Sequence, residues 1–268
     1  MNQRLHFILS VFLGLLWSPG IAATATEVPP LLEQALVNSS REDNRWAYTE
    51  TTVVRPKSAK EKEDVLTIVR FDPSKPYPEQ YTPLLVEGKK PTASDLKEYR
   101  KKGEKRAEDL EKGEGGPGGR GRGDGAQLNA LIDAEHLTVV ADTPTTVTYR
   151  VPLRKGAKVQ GAQVDKIEFE IRIAKADASI ERMAMHLNES MRVMLVANVK
   201  SADFAVDFAR VDPKYAPVMT RVKGEAKVSM LLLARFSPHI DLSRKDHERV
   251  VPYDDRFQVS IGPLNVLK

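Results

Sequence analysis

The stretch Asp165 to Lys175, DKIEFEIRIAK, alternates without a break. Ile167, Phe169, Ile171 and Ile173 fall on one side, and Lys166, Glu168, Glu170 and Arg172 on the other. Side chains of an extended chain point to opposite faces with a period of two, so this segment fits a strand with one dry and one wet face. The pattern recurs in VTYRVPL, ERMAMHLN, SMRVMLVANVK, ADFAVDFARV, TRVKGEAKVSMLLLARF and the terminal RFQVSIG. Parallel neighbours need long crossovers, usually helical, and no helix of that length is legible after Ala134. One-sided alternation with turn residues between strands is the pattern of an antiparallel meander of about ten or eleven strands. The expected class is α+β, mainly antiparallel β.

The amino-terminal half adds the remaining pieces. LLEQAL places Leu31, Leu32, Ala35 and Leu36 on one face of a short amphipathic helix behind Pro29-Pro30. WAYTETTVV and EDVLTIVRFD read as a hairpin; Pro73, Pro76 and Pro78 then forbid ladder pairing until YTPLLVEGK resumes an extended path. Residues 93–112 read as a helix, with Thr92 or Ser94 as cap and Asp95 in its first turn. Leu96, Tyr99 and Leu110 are its only large apolar residues, so it is expected to project into solvent or lie loosely over a surface. Gly113 to Gly125, GEGGPGGRGRGDG, holds eight of the sixteen glycines. A segment with so little to bury cannot offset the entropy of ordering, so it reads as a flexible spacer beside that helix.

Residues 1–25 carry the marks of a signal peptide: Arg4, an apolar run from Leu5 to Trp17, a Ser-Pro-Gly break, and Ala23-Thr24-Ala25 for cleavage. The run is about thirteen residues, too short to span a bilayer. An exported chain without cysteine has no disulfide, thiolate nucleophile or cysteine-bound metal, and fits a bacterial periplasm. Residues 26–268 are expected to form one domain. The formal net charge is only +4 and the charges alternate in sign, which argues against nucleic-acid binding.

Val69 to Arg106, VRFDPSKPYPEQYTPLLVEGKKPTASDLKEYRKKGEKR, resembles a segment of exported proteins in a periplasmic branch of the outer-membrane lipoprotein carrier-like (LolA/LolB-like) superfamily. The shared features are an aspartate-proline turn, a strand ending in a glycine turn, and a charged helix. The resemblance implies a strongly curved half-barrel whose concave apolar side is covered by helices. By analogy it also implies carriage of a lipid or an acylated peptide or lipoprotein.

All methionines after Met1 lie between Met183 and Met230. Methionine fills apolar surfaces adaptably, either packing a curved sheet against its helices or lining a cavity for varied chains. The cavity candidates are Ile167, Phe169, Ile171, Met183, Met185, Met191, Val193, Leu195, Phe204, Phe208, Val228, Met230 and Leu232. The alternative is a cell-envelope structural or interaction protein with a filled core. No cofactor or metal is expected, and neither His-Glu-x-x-His nor Gly-x-Ser-x-Gly occurs. The one polar concentration, HIDLSRKDHER, brings His239, Asp241, Asp246, His247 and Glu248 together in sequence. Interleaved Arg244, Lys245 and Arg249 oppose a cation there, so it is read as a solvated connection and the chain as non-enzymatic.

Overall fold

The computed structural model describes residues 27–39, 45–55, 64–111, 131–159, 162–193, 197–230 and 234–257. The expected signal peptide, the glycine-rich segment 113–125, Leu195 and Leu232 lie outside the described residues.

Helix α1 (Pro30–Ser39) is followed by β1 (Trp46–Arg55), β2 (Val65–Phe71) and β3 (Tyr81–Leu85), and then helix α2 (Ala93–Glu111). A run of strands completes the chain: β4 (Thr138–Asp142), β5 (Thr146–Pro152), β6 (Lys158–Val159), β7 (Ala162–Gln163), β8 (Ile167–Ala174) and β9 (Ser179–Leu187). After these come β10 (Met191–Val193), β11 (Ala197–Ala209), β12 (Val218–Met230), β13 (Ala234–Phe236) and β14 (His239–Arg249).

Ten strands form one continuous path in the order β3-β2-β1-β14-β12-β11-β9-β8-β5-β4, with β10 on β11 and β13 on β12. Its pairings are antiparallel. The last long strand inserts beside the first, with Val54 opposite Ile240, which joins the two meanders into one sheet. The sheet does not close: β3 and β4 are its edges. β6 and β7 make a separate small ribbon.

One reading of the sequence is corrected by the structure. HIDLSRKDHER is not a solvated connection but the central strand β14, because Ile240 and Leu242 supply buried inner positions between charged outer ones. The expected terminal strand RFQVSIG lies outside the described residues except for Arg256 and Phe257, which end a short 3-10 helix. That helix, Tyr253–Phe257, is tied down by Tyr253 N–H donating to the Pro73 carbonyl at 2.8 Å and by Tyr77 Oη donating to Asp254.

Register shows which side chains share a face. One transverse row runs Val151, Phe169, Met185, Phe204, Gly224, Ile240, Val54, Val65; the next runs Tyr149, Ile171, Met183, Val206, Val222, Leu242, Thr52, Thr67. This inner face holds the core. α1 lies on it over β8 and β9, burying Leu32, Ala35 and Leu36 completely or nearly so, with Leu31 partly buried. An open antiparallel sheet with its apolar face covered by helices is the half-barrel arrangement expected.

Helix α2 differs from expectation: it is docked. Thr92 and Asp95 form a reciprocal cap, with Thr92 N–H donating to Asp95 Oδ2 at 2.7 Å and Asp95 N–H to Thr92 Oγ1 at 3.3 Å. The capping bonds hold the Asp95 carboxyl below its ordinary value, the backbone N–H of Thr92 acting most strongly. Further along, Gly103 is buried so closely against Tyr77 and Pro78 that a Cβ would overlap the Tyr77 carbonyl. The Arg106 guanidinium stacks 5.0 Å from the Phe71 ring centroid and donates to Gln80, while Lys102 Nζ lies 4.7 Å from that of Tyr81. Tyr48, Phe71 and Tyr81 are register partners, and Tyr48 shares the inner face with Val54, so both helices cover the same face at different ends. The anchorage is missed when only aliphatic residues are counted, because it rests on a glycine and on cations over aromatic rings.

Candidate functional site

The inner face changes character along its length. Under α1 it is aliphatic and methionine-rich. Ile167, Phe169 and Ile171 are 0–1% exposed, and Met183, Met185, Met191, Phe204 and Val228 are also buried, all in one cluster with α1. Phe208 is partly buried and bridges this cluster to a smaller one of Val206, Val222 and Leu242. Register sets Val193 opposite Ala197, and Ala197 opposite Met230, at the far end of the face. Eight of the thirteen candidates thus join one buried cluster that also holds the inner side of α1. The Phe204 ring is folded across Gly224, where any Cβ would overlap the ring carbons. That glycine is what lets a large aromatic lie flat on the sheet.

Beyond Leu242 the inner face becomes polar and aromatic. Arg244 Nε bonds Glu50 Oε2 at 3.0 Å, both side chains being largely buried, and the guanidinium stacks 4.2 Å from the Tyr48 ring centroid. Burial under α2, together with the Glu50 carboxylate, pushes the Tyr99 phenol up to about 12. The five titratable groups grouped by the sequence therefore separate. His239 and Asp241 face outward to Glu225 and Arg221, Glu248 meets Arg70 at 3.3 Å, and Asp246 takes a positive φ of 52°. Alternation within a strand disperses a cluster that adjacency in sequence had suggested. Among the described residues no group of three or more His, Cys, Asp or Glu side chains converges to hold a metal ion.

His247 turns inward beside Trp46 and Tyr48. Burial lowers its pKa below the ordinary 6.5, and Arg244 and Arg70 push in the same direction against Asp246 and the Met219 backbone. A depressed value in the folded state means that the unfolded chain binds the proton more readily. The stability held by neutral His247 is therefore complete above about pH 6.5 and lost as pH falls through the lowered value. His247→Gln is expected to flatten the decline of melting temperature between neutral pH and about pH 5. Parallel melting curves for variant and wild type would contradict this.

A concavity lies on the outer face, opposite the core, and was not anticipated from the sequence. It is a groove of ≈ 430 Å³ with Ala184, Ala205 and Val53 among its lining residues. Along one side run His186, Asp203, Glu225 and His239, successive register partners across four strands. His186 Nδ1 lies 2.7 Å from Asp203 Oδ1, and His239 Nε2 lies 3.2 Å from Glu225 Oε2. Arg221 grips Asp241 through two bonds of 3.1 and 2.7 Å and holds that carboxyl below the usual carboxylate range. These pairs satisfy one another across strands, the ordinary way a wet sheet face is stabilised.

No family model matches the chain, and no curated protein matches it. A solved LolA superfamily protein from Nitrosomonas europaea is similar at 10% identity, over 89% of this chain and 99% of that one, with a TM-score of 0.31. The fold class rests on the strand order and register described above. Among the described residues no helix is long and apolar enough to cross a membrane.

Proposed function

We propose that the chain is an exported, non-catalytic periplasmic protein that holds the acyl chain of a lipid or acylated peptide on its inner apolar face, beneath α1. The observation that carries this reading is the cover itself. α1 buries Leu32, Ala35 and Leu36 on a methionine-containing face, while its polar anchorage to the sheet includes the Asn38 amide bonding the carbonyls of Asp177 and Ala178 at 3.5 and 3.4 Å. Bonds of that length contribute little beside the burial of Leu32, Ala35 and Leu36, and burial is the interaction an acyl chain would also make with this face. Met183, Met185 and Met191 allow the surface to repack around chains of different shape. The formation of a LolA-like half-barrel agrees with the resemblance of Val69 to Arg106, and residues 1–25 supply the export signal.

Weakening the cover tests this directly. Leu32→Ala with Leu36→Ala is expected to raise the rate of fluorescent fatty-acid uptake about tenfold or more, since about 1.4 kcal/mol of lost cover affinity shifts the open fraction tenfold. A chain that takes up no probe with either cover would contradict the reading. The complete burial of Phe169, Ile171 and Ile173 favours a second reading. On that view the core is permanently filled, and the protein serves the envelope through a protein partner.

A further inference from the structure

Strand β14 carries one residue too many opposite β1. Ala47 pairs with Glu248 and Thr49 with Lys245, so Asp246 and His247 both stand opposite Tyr48. Asp246 absorbs the extra residue with its positive φ. Unbroken alternation from Ile240, Leu242 and Arg244 would point Asp246 inward and His247 outward. The bulge reverses this and brings His247 and Arg249 to the inner face. There they meet Trp46 and Tyr48, which continue the inner row of Val54, Thr52 and Glu50 along β1. Tyr215, on the turn between β11 and β12, closes the group. Its ring centroid lies 5.7 Å from that of Trp46, edge-on, and 3.6 Å from the Arg249 guanidinium.

Two polar atoms of this cluster, Trp46 Nε1 and His247 Nε2, are buried with no hydrogen-bond partner among the described residues. Orphaned buried polar atoms are rare and costly, and here two fall on neighbouring rings with centroids 6.4 Å apart. They complement each other. The indole N–H only donates. The Met219 backbone engages the other imidazole nitrogen, and Arg244 and Arg70 oppose a charge on the ring against Asp246, so neutral His247 offers Nε2 as an acceptor. A hydroxyl accepts from the first and donates to the second, and two bonds of about 3 Å reach across such a separation. An anion finds less to hold it. Arg244 is bound to Glu50, Arg70 to Glu248 and the Asp246 carbonyl, and Arg249 lies over the Trp46 and Tyr215 rings.

We propose that Trp46 and His247 hold the hydroxyl of a neutral lipid head group, of the monoacylglycerol class. The proposal rests on the acyl-chain reading above. The inner face runs from the methionine-containing cluster through Phe208, Val222 and Leu242 to this end, so a chain lying on its apolar part places its head here. Tyr48, Tyr215 and His247 are only half-buried, which gives the site a way in from solvent.

Titration calorimetry of the full chain with probes sharing one short acyl chain tests this. Monooctanoylglycerol carries hydroxyls, methyl octanoate has the same ester without one, and octanoate carries an anion. Monooctanoylglycerol is expected to bind about tenfold or more tighter than methyl octanoate, since a site built around a hydroxyl rejects the analogue that lacks it. Trp46→Phe and His247→Phe keep an aromatic ring but remove the polar atom. Each is expected to erase that preference while methyl octanoate binds as before. Equal affinity for the two esters, or a preference that survives both variants, would overturn the proposal and leave the acyl-chain reading standing. Octanoate bound tightest would overturn it in favour of an anion. Glycerol bound as tightly as monooctanoylglycerol would overturn the head-group role in favour of a free polyol. Binding of none of the chain-bearing probes would remove the acyl-chain reading and the proposal with it.

Discussion

Phe169→Ala is expected to cost about 3–5 kcal/mol, the range for emptying a fully buried aromatic position. Phe169 is 0% exposed in the middle of β8, between Val151 on β5 and Met185 on β9. The α1 helix closes the same cluster from above through Leu32 and Leu36. Backbone pairing on both sides leaves the neighbouring strands little freedom to collapse into the space. At roughly 2–4 °C per kcal/mol for a chain of this size, the melting temperature falls by about 6–20 °C. Glu168→Ala, one residue away on the outer face, is expected to stay within about 0.5 kcal/mol, because its partner there is an exposed arginine. Equal effects at the two positions would show that the inner face is not the packed side of the sheet.

Gly103→Val is expected to undock α2. The added Cβ would overlap the Tyr77 carbonyl and crowd Pro78, and both are backbone that a side-chain rotation cannot move aside. Valine is a better helix former than glycine, so any loss reflects the contact and not the helix. Overpacking of this kind costs about 1–3 kcal/mol. Undocking also uncovers Gln80, a 2% exposed amide that receives Arg106 and donates to the Lys75 carbonyl at 3.0 Å. Two readouts separate undocking from general instability. Amide exchange in α2 rises towards that of an isolated helix while β8 and β9 stay protected. The Tyr99 phenol, pushed up to about 12 in the docked helix, returns towards its ordinary 10.0 and is followed by its ultraviolet absorbance. Unchanged exchange and an unchanged Tyr99 titration would contradict the docking.

These two positions also mark where the sequence was legible and where it was not. Phe169 was placed correctly because burial on one face of a strand is written locally, in a period of two. The same holds for Met183, Met185, Phe204 and the helical face of Leu32, Ala35 and Leu36, which the structure brings together. Gly103 was not legible. A glycine inside a charged helix signals a close approach only once the approaching backbone is known, and that backbone belongs to a loop some twenty-five residues earlier. Strand β14 was hidden for a related reason: its inner position Arg244 looks like a break in the alternation until Glu50, nearly two hundred residues away, is seen to pair with it. The insertion of β14 beside β1 is equally non-local, and no turn signal records it. The outer groove arises from register across β9, β11, β12, β14 and β1, which fixes His186 and His239 on one row although fifty-three residues separate them.

The central claim is that an acyl chain occupies the inner face. Native mass spectrometry of the protein recovered from its own cells without detergent is the decisive test. The expected result is a bound acyl-bearing species that is released on unfolding. Met185→Trp, which fills the inner face, lowers its occupancy, whereas Arg172→Trp, on the exposed outer face, leaves it unchanged. A chain of bare polypeptide mass in every preparation, with no acyl species in the solvent extract, would contradict it.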